Sequence, residues 1–330
     1  MTETNHRITL ARRPVGAIGP ENFATDDVAV DAPGPGEALV EVGWLSIDPT
    51  IRGWMAHDTY LPAIAIGEPI RSGGVGTVIE SNSDALPVGA TVFGMTGWQQ
   101  YVVMGEDATV LPGEVDPEAA LSVFGVTGLT AYFGLLDVGR PVDGDTVLVS
   151  GAAGATGSIV GQIARIKGCR VVGIAGSDEK CAMLTDEFGF DTAINYRTDD
   201  VRAAIGEACP DGVDVFFDNV GGDILEAALD HLALRARVVL CGAISTYNDI
   251  EPRPGPANLM NLVVNRARME GFIILDYMDR AMEAMVELGG WVLSGDLSYR
   301  TDVVEGLDNA PAALERLFSG ANLGKVMVKL

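Results

Sequence analysis

The chain has 330 residues, 48% of them apolar and 21% charged, which is enough for one or two domains with full hydrophobic cores. Its 22 Lys and Arg face 46 Asp and Glu, a formal net charge of −24. That balance argues against nucleic acid and anionic membranes as partners, because phosphate-bearing surfaces are met by Lys/Arg-rich faces. No run reaches transmembrane length, and the opening MTETNHRITLARRP lacks the apolar core of a signal peptide, so a cytoplasmic location is expected.

Residues up to about 120 read as mostly β. The partly alternating ALVEVGWLSI (38–47) follows the turn cluster Ala32-Pro33-Gly34-Pro35-Gly36, and further strands are expected at 74–81, 90–93, 99–104 and 108–111. Many short strands at close spacing suggest a small barrel-like β domain. Between them, DPTIRGWMAHDTY (48–60) mixes polar and aromatic groups and fits a loop or short helix. Asp116-Pro117-Glu118 then has the cap, first-turn proline and acid of a helix start, and another helix is expected over 128–136.

After Gly144 strands and helices alternate. Strands are expected at 146–150, 170–175, 192–195, 213–219, 236–242 and 271–275, with helices between them. Successive βα units imply a doubly wound parallel sheet in an α/β fold. Such sheets bind ligands beyond the carboxyl ends of their strands, which makes Asn219, the residues from Gly242 to Tyr247, and Phe272 to Ile274 candidates on topology alone. Helices over 278–293 and 310–318 precede a closing strand at 324–330, which fits either the β domain or the parallel sheet.

The centre of the chain is TVLVSGAAGATGSIVGQIARIKGCRVVGIAGSDEK (146–180): strand, glycine loop, helix, strand. Gly151, Gly154 and Gly157 are spaced G-x-x-G-x-x-G rather than G-x-G-x-x-G. The flanking strand and amphipathic helix nonetheless make it the βαβ unit that cradles a dinucleotide pyrophosphate. The second strand ends Ala175-Gly176-Ser177, where an NAD site would carry an acid for the ribose 2′-hydroxyl. Asp178 and Glu179 follow at a helix start, which explains them without a ligand. Lys180, with Tyr196 and Arg197 past the next strand, can meet a 2′-phosphate, so NADP is favoured over NAD. Cys169, Cys181, Cys209 and Cys241 form no C-x-x-C and have no nearby His, and the three histidines are scattered. Free thiols and no metal site are expected.

GSDEK, NYR, FDNVGG, CGAISTYN, RMEGF and NLGK occur in order, and from about residue 34 onward the chain resembles the zinc-independent branch of the medium-chain dehydrogenase/reductases. Within that branch it is most similar to the prostaglandin reductases (leukotriene 12-hydroxydehydrogenases) and the alkenal/alkenone double-bond reductases. The resemblance implies a GroES-like β-barrel domain, residues 1–122 completed by 295–330, around a Rossmann domain at 123–294. It implies NADPH-dependent reduction of the carbon–carbon double bond of α,β-unsaturated aldehydes or ketones, and a homodimer.

By matching motif it implies cofactor contacts from Ala152, Ala153, Gly154, Ala155 and Gly157 in the loop, and from Ser177, Lys180 and Tyr196 near the 2′-phosphate. Asn219, Cys241, Gly242, Ala243, Ile244, Ser245, Phe272, Ile273, Ile274 and Asn322 complete that set. Ser46 sits near the place where zinc-bearing relatives have a ligand cysteine. Tyr247 is the expected hydrogen-bond donor to the developing enolate, and substrate would enter against residues 44–60.

The family commonly reads D-P-Y-M-R-G with a pocket tyrosine, where this chain has Asp48-Pro49-Thr50-Ile51-Arg52-Gly53. Either the pocket is larger, or Trp54 and Tyr60 fill the space beside Thr50. Asp48 and Arg52 are expected to pair and hold this segment. The competing readings are a quinone reductase, an alcohol dehydrogenase lacking zinc ligands, and a non-catalytic NADPH-binding sensor.

Overall fold

The computed structural model describes residues 4–113 and 115–330. The chain divides into two units. Unit 1 is Met1–Leu121, Tyr247–Ile250 and Thr301–Leu330, and unit 2 is Ser122–Thr246 and Glu251–Arg300.

Unit 1 opens with an antiparallel pair, β1 (Thr4–Leu10) and β2 (Phe23–Ala29). Next come β3 (Ala38–Ser46), β4 (Gly73–Ser81), β5 (Thr91–Met95), β6 (Tyr101–Met104) and β7 (Thr109–Val110). Alternation turns Ile8, Leu10, Val42 and Leu45 into a core with Ile51, Met55 and Trp98. Residues 48–60 contain a helix, Thr50–Ala56, whose Ile51, Arg52, Trp54 and Met55 are buried.

Unit 2 carries β8 (Thr146–Ser150), β9 (Arg170–Ala175), β10 (Thr192–Asn195), β11 (Val213–Asp218), β12 (Leu232–Leu240) and β13 (Arg268–Gly271). All pair in parallel in the order β10-β9-β8-β11-β12-β13. This is the doubly wound order, and it reverses between β8 and β11. Strands covered by helices on both faces need continuous apolar runs. Val147, Leu148, Val149, Val171, Val172, Ile174, Phe216 and Phe217 are accordingly fully buried.

The chain then returns to unit 1 as β14 (Thr301–Glu305) and β15 (Lys325–Lys329), with the Ala310–Ser319 helix between them. β15 lies between β14, parallel, and β3, antiparallel, with Met327 opposite Ser46. The closing strand therefore belongs to unit 1, not to the parallel sheet.

Three further features differ from the sequence expectation. The strand expected at 271–275 is Arg268–Gly271, and Ile274–Arg280 forms a 3-10 turn instead. The helix expected at 128–136 spans Val126–Phe133 and widens into a π-helical turn, Gly134–Gly139. Packing forces Gly134, since a Cβ there would lie 2.3 Å from the Phe272 ring. Finally, Tyr247–Ile250 sits with unit 1 although the residues on either side belong to unit 2.

Candidate cofactor and substrate site

β8 ends at Ser150, and the loop Gly151–Gly154 leads into the Ala155–Ile166 helix. Gly151 has φ +59°, a left-handed conformation that suits glycine. A Cβ on Gly157 would lie 2.5 Å from the Gly151 carbonyl oxygen and 2.8 Å from the Ala152 Cα, so the helix can sit this close to its loop only with glycine there. The helix N-cap, Gly154, offers no side-chain hydrogen bond, which leaves the first-turn N–H groups for an outside acceptor. Ala152 and Ala153 are buried against the sheet. The loop thus fits an anionic pyrophosphate by shape and by polarity.

The next helix, Asp178–Asp186, is different at its start. Ser177 caps it, accepting the Lys180 N–H at 3.2 Å. Asp178 is engaged by the Asn195 amide, which donates to its carboxylate at 2.7 Å. One oxygen of Asp178 is therefore engaged within the protein. The Tyr196 ring closes over Gly176, where a Cβ would come within 2.8 Å of its hydroxyl, and the Arg197 guanidinium lies 5.9 Å from that ring. Ser177 and Tyr196 thus flank Gly176 at the end of β9, with Lys180 in the first turn of the helix that follows.

The switch point between β8 and β11 is built on a residue that motif spacing does not single out. Asp218, fully buried at the end of β11, accepts the Ser150 hydroxyl at 2.6 Å and the N–H groups of Val220 and Gly221. Burial raises its pKa, and those three donors oppose the rise. Its backbone carbonyl accepts from Cys241 and Gly242 N–H. The Asn219 amide donates to the Ser150 carbonyl at 2.8 Å, while its own N–H meets the Ser150 hydroxyl. One acid so joins the ends of β8, β11 and β12. The signal is present in the sequence as a carboxylate closing the apolar strand VDVFFD.

Beyond β12, Ser245 donates to the Val220 carbonyl at 2.7 Å and Ala243 lies against Gly221, which seats Cys241 to Ser245 over the same turn. Burial, with Asp218 adding to it, pushes the Cys241 thiol up to about 12 and keeps it neutral. Past β13, Phe272 packs edge-on against Phe217 at 6.4 Å, followed by Ile273 and Ile274. Apart from Asn322, every expected cofactor residue stands at a carboxyl end of this sheet. Asn322 lies in unit 1, buried, with its amide donating to the Gly324 carbonyl.

Unit 1 holds the expected substrate residues. The Thr50 hydroxyl is 3.0 Å from that of Tyr60, and the Tyr60 ring meets Trp54 edge-on at 6.2 Å, with the Arg71 guanidinium over the Trp54 ring. Tyr60 thus occupies the space beside the short Thr50. The expected Asp48–Arg52 pair does not form. Asp48 is held instead by Ser46 and by Lys325, whose Nζ donates to it at 2.6 Å and to the Ile47 carbonyl at 2.9 Å. Arg52 points the other way, to Asn248 and the Gly16 carbonyl. Tyr247 begins the segment that carries Asn248.

Among the described residues no group of three or more His, Cys, Asp or Glu could hold a metal ion, and all four cysteines are free thiols. Residues 6–111 match the family model described as the N-terminal domain of oxidoreductase, and 155–289 the one described as zinc-binding dehydrogenase. The NADPH-dependent curcumin reductase of Escherichia coli is 41% identical, aligned over 99% of this chain and 97% of that protein. Prostaglandin reductase 1 of Bos taurus is 40% identical over 97% and 98%. The chain belongs to the zinc-independent double-bond reductase branch of the medium-chain dehydrogenase/reductases. The crystal structure of CurA in complex with NADPH from Vibrio vulnificus superposes with a TM-score of 0.94 at 41% identity, covering 98% of each chain. The parallel sheet and the separate mixed sheet found here are the two-unit architecture of this medium-chain reductase branch. No helix among the described residues is long and apolar enough to cross a membrane.

Proposed function

We propose that the protein is an NADPH-dependent reductase of the carbon–carbon double bond in α,β-unsaturated aldehydes and ketones. The observation that carries the cofactor half is the end of β9, where Asp178 is bonded to Asn195 and Tyr196 closes over Gly176, with Lys180 in the helix turn that follows. Full-length similarity to a curcumin reductase and a prostaglandin reductase supports the reaction class. The Gly151–Gly154 loop and the uncapped helix after it, with Gly157 in its first turn, would hold the pyrophosphate, and Lys180 the 2′-phosphate. Bound NADPH supplies a hydride for the β-carbon of the enone. The chain's own part is to orient the substrate and to place a hydrogen-bond donor where negative charge builds on the carbonyl oxygen, before the α-carbon is protonated. We assign that donor to the Tyr247 hydroxyl, and the substrate wall to Thr50, Trp54 and Tyr60.

One set of assays tests both halves. NADPH oxidation is followed with enones, enals and quinones, then with NADH in place of NADPH, for the wild type and Lys180→Ala. Enone-dependent oxidation giving a saturated carbonyl is expected, with NADPH preferred. Loss of a charge-assisted hydrogen bond should weaken NADPH binding by roughly 1.5–3 kcal/mol in Lys180→Ala and leave NADH nearly unchanged. Equal loss for both cofactors would sink the 2′-phosphate assignment. Turnover of quinones alone would move the reading to a quinone reductase, and cofactor binding without any turnover to a sensor.

A homodimer is the proposed assembly. β13 ends the parallel sheet with an open edge, and the adjacent Met260–Val264 helix exposes Met260, Val263 and Val264 by 62–66%. An open edge beside an apolar helix is a template for pairing with a second copy. Light scattering should return twice the chain mass, and Val263→Glu should halve it. A monomeric wild type would end the proposal.

A further inference from the structure

Arg52 is only 5% exposed, yet it makes no ion pair among the described residues. Burying a cation without a carboxylate is unfavourable, and here burial alone pulls its pKa below the ordinary value. Its hydrogen bonds all go to two stretches of unit 1. Nε donates to the Asn248 side-chain oxygen at 3.2 Å, and one terminal nitrogen to the Gly16 carbonyl at 2.8 Å with the Pro14 carbonyl at the edge of reach. Gly16 in turn abuts the far end of the same segment. It has φ +77°, and a Cβ there would lie 3.5 Å from the Ile250 side chain and 3.9 Å from the Asn248 carbonyl oxygen. Tyr247–Ile250 is a four-residue excursion into unit 1 by a chain that lies in unit 2 on both sides. Ordering its residues costs conformational entropy, so something in unit 1 must hold it.

We infer that Arg52 is a positioning residue: its planar fork fastens Tyr247–Ile250 to the Pro14–Gly16 turn and thereby sets where the Tyr247 hydroxyl stands. The guanidinium suits the task because its donors are rigidly spread and stay charged when buried. The functional consequence rests on the donor role proposed above for Tyr247, but the clamp itself does not.

The experiment compares Arg52→Lys, Arg52→Met, Asn248→Ala, Tyr247→Phe and the double variant Arg52→Met/Tyr247→Phe. Hydrogen exchange of the peptide covering 247–250 should quicken at least tenfold in Arg52→Met and Asn248→Ala, with exchange in β8 and β11 unchanged. Enone kcat should fall roughly 10–100-fold in Arg52→Met, remain low in Arg52→Lys, which keeps the charge and loses the fork, and change little in KM. The double variant should be no slower than Tyr247→Phe. Unchanged exchange at 247–250 in both Arg52→Met and Asn248→Ala would overturn the clamp, as would losses that multiply in the double variant. Asn248→Ala, which removes a half-exposed side chain, keeps the test decisive should Arg52→Met fail to fold. Full turnover by Tyr247→Phe would instead remove the donor role, leaving the exchange result to decide the clamp.

Discussion

An Asp48→Ala chain should unfold about 3 kcal/mol more easily than the wild type, and adding Lys325→Met should recover most of that loss. Lys325 is 1% exposed, with Nζ between the Asp48 carboxylate and the Ile47 carbonyl. Burial pulls its pKa down while Asp48 pulls it up, so its charged form depends on that one partner. A buried lysine paired with a half-buried carboxylate roughly breaks even against apolar groups of the same volume. Removing the carboxylate strands the lysine, which is why the single variant is expected to lose so much and the double so little. Methionine also keeps most of the lysine's apolar volume, so a cavity does not confuse the result. Urea titrations of the four chains close the cycle. Losses that simply add would mean that Lys325 and Asp48 contribute independently, and the pair would then be no anchor for the residues entering the Thr50–Ala56 helix.

Gly157→Ala is the second large effect, and it needs only one methyl group. The atoms that a Cβ would strike are the Gly151 carbonyl oxygen and the Ala152 Cα, both backbone, so no side chain can swing away. Either the helix or the loop must move. Overpacking of this kind costs about 1–3 kcal/mol in stability. The displaced loop should also bind NADPH at least tenfold more weakly, about 1.4 kcal/mol. The control is Gly290→Ala in the Ala281–Ser294 helix, where a Cβ would meet nothing within 4 Å and the helix should gain slightly. Calorimetric NADPH titration of both variants decides the matter. Unaltered affinity in Gly157→Ala would show that the loop tolerates displacement and is not the cradle.

Parallel strands are the most legible part of the chain. Runs such as VLVS and VVGIA need burial on both faces, and three glycines spaced between them suit a tight phosphate-binding turn better than any ordinary loop. The margin of unit 1 is less legible. TNHRITL and FATDDVA form a two-stranded sheet, with only isolated bridges from the first strand to Gln99 and Pro69; polar residues dilute their alternation, and their pattern announces no strand. The expected strand at 271–275 fails because GFIIL is as apolar as a strand, while the stretch that pairs with β12 is the charged RMEG at an open sheet edge. Among site residues, Asp218, Lys325 and the true partners of Arg52 are hidden for one reason. Each rests on a contact between groups far apart in sequence, and spacing carries no information about that. The supposed Asp48–Arg52 pair shows the error directly, since adjacency suggests an ion pair where the fold gives each residue a different partner.

The placement of β15 also bears on how the protein is made. β3 is translated early and can pair with β4 and β6, but the strand that covers its Trp44–Ser46 end is translated only after all of unit 2. On a ribosome, unit 2 can close its sheet from residues 122–300 of the nascent chain, interrupted only by Tyr247–Ile250, whereas unit 1 waits with the Trp44–Ser46 end of β3 unpaired on one side and the Asp48 carboxylate without its lysine. During that interval β3 offers a bare edge next to Trp44 and Leu45, the kind of surface that chaperones shield and that aggregates when they do not. Changes that weaken β15 should therefore lower the yield of protein from cells more than they lower the stability of the molecules that finish folding.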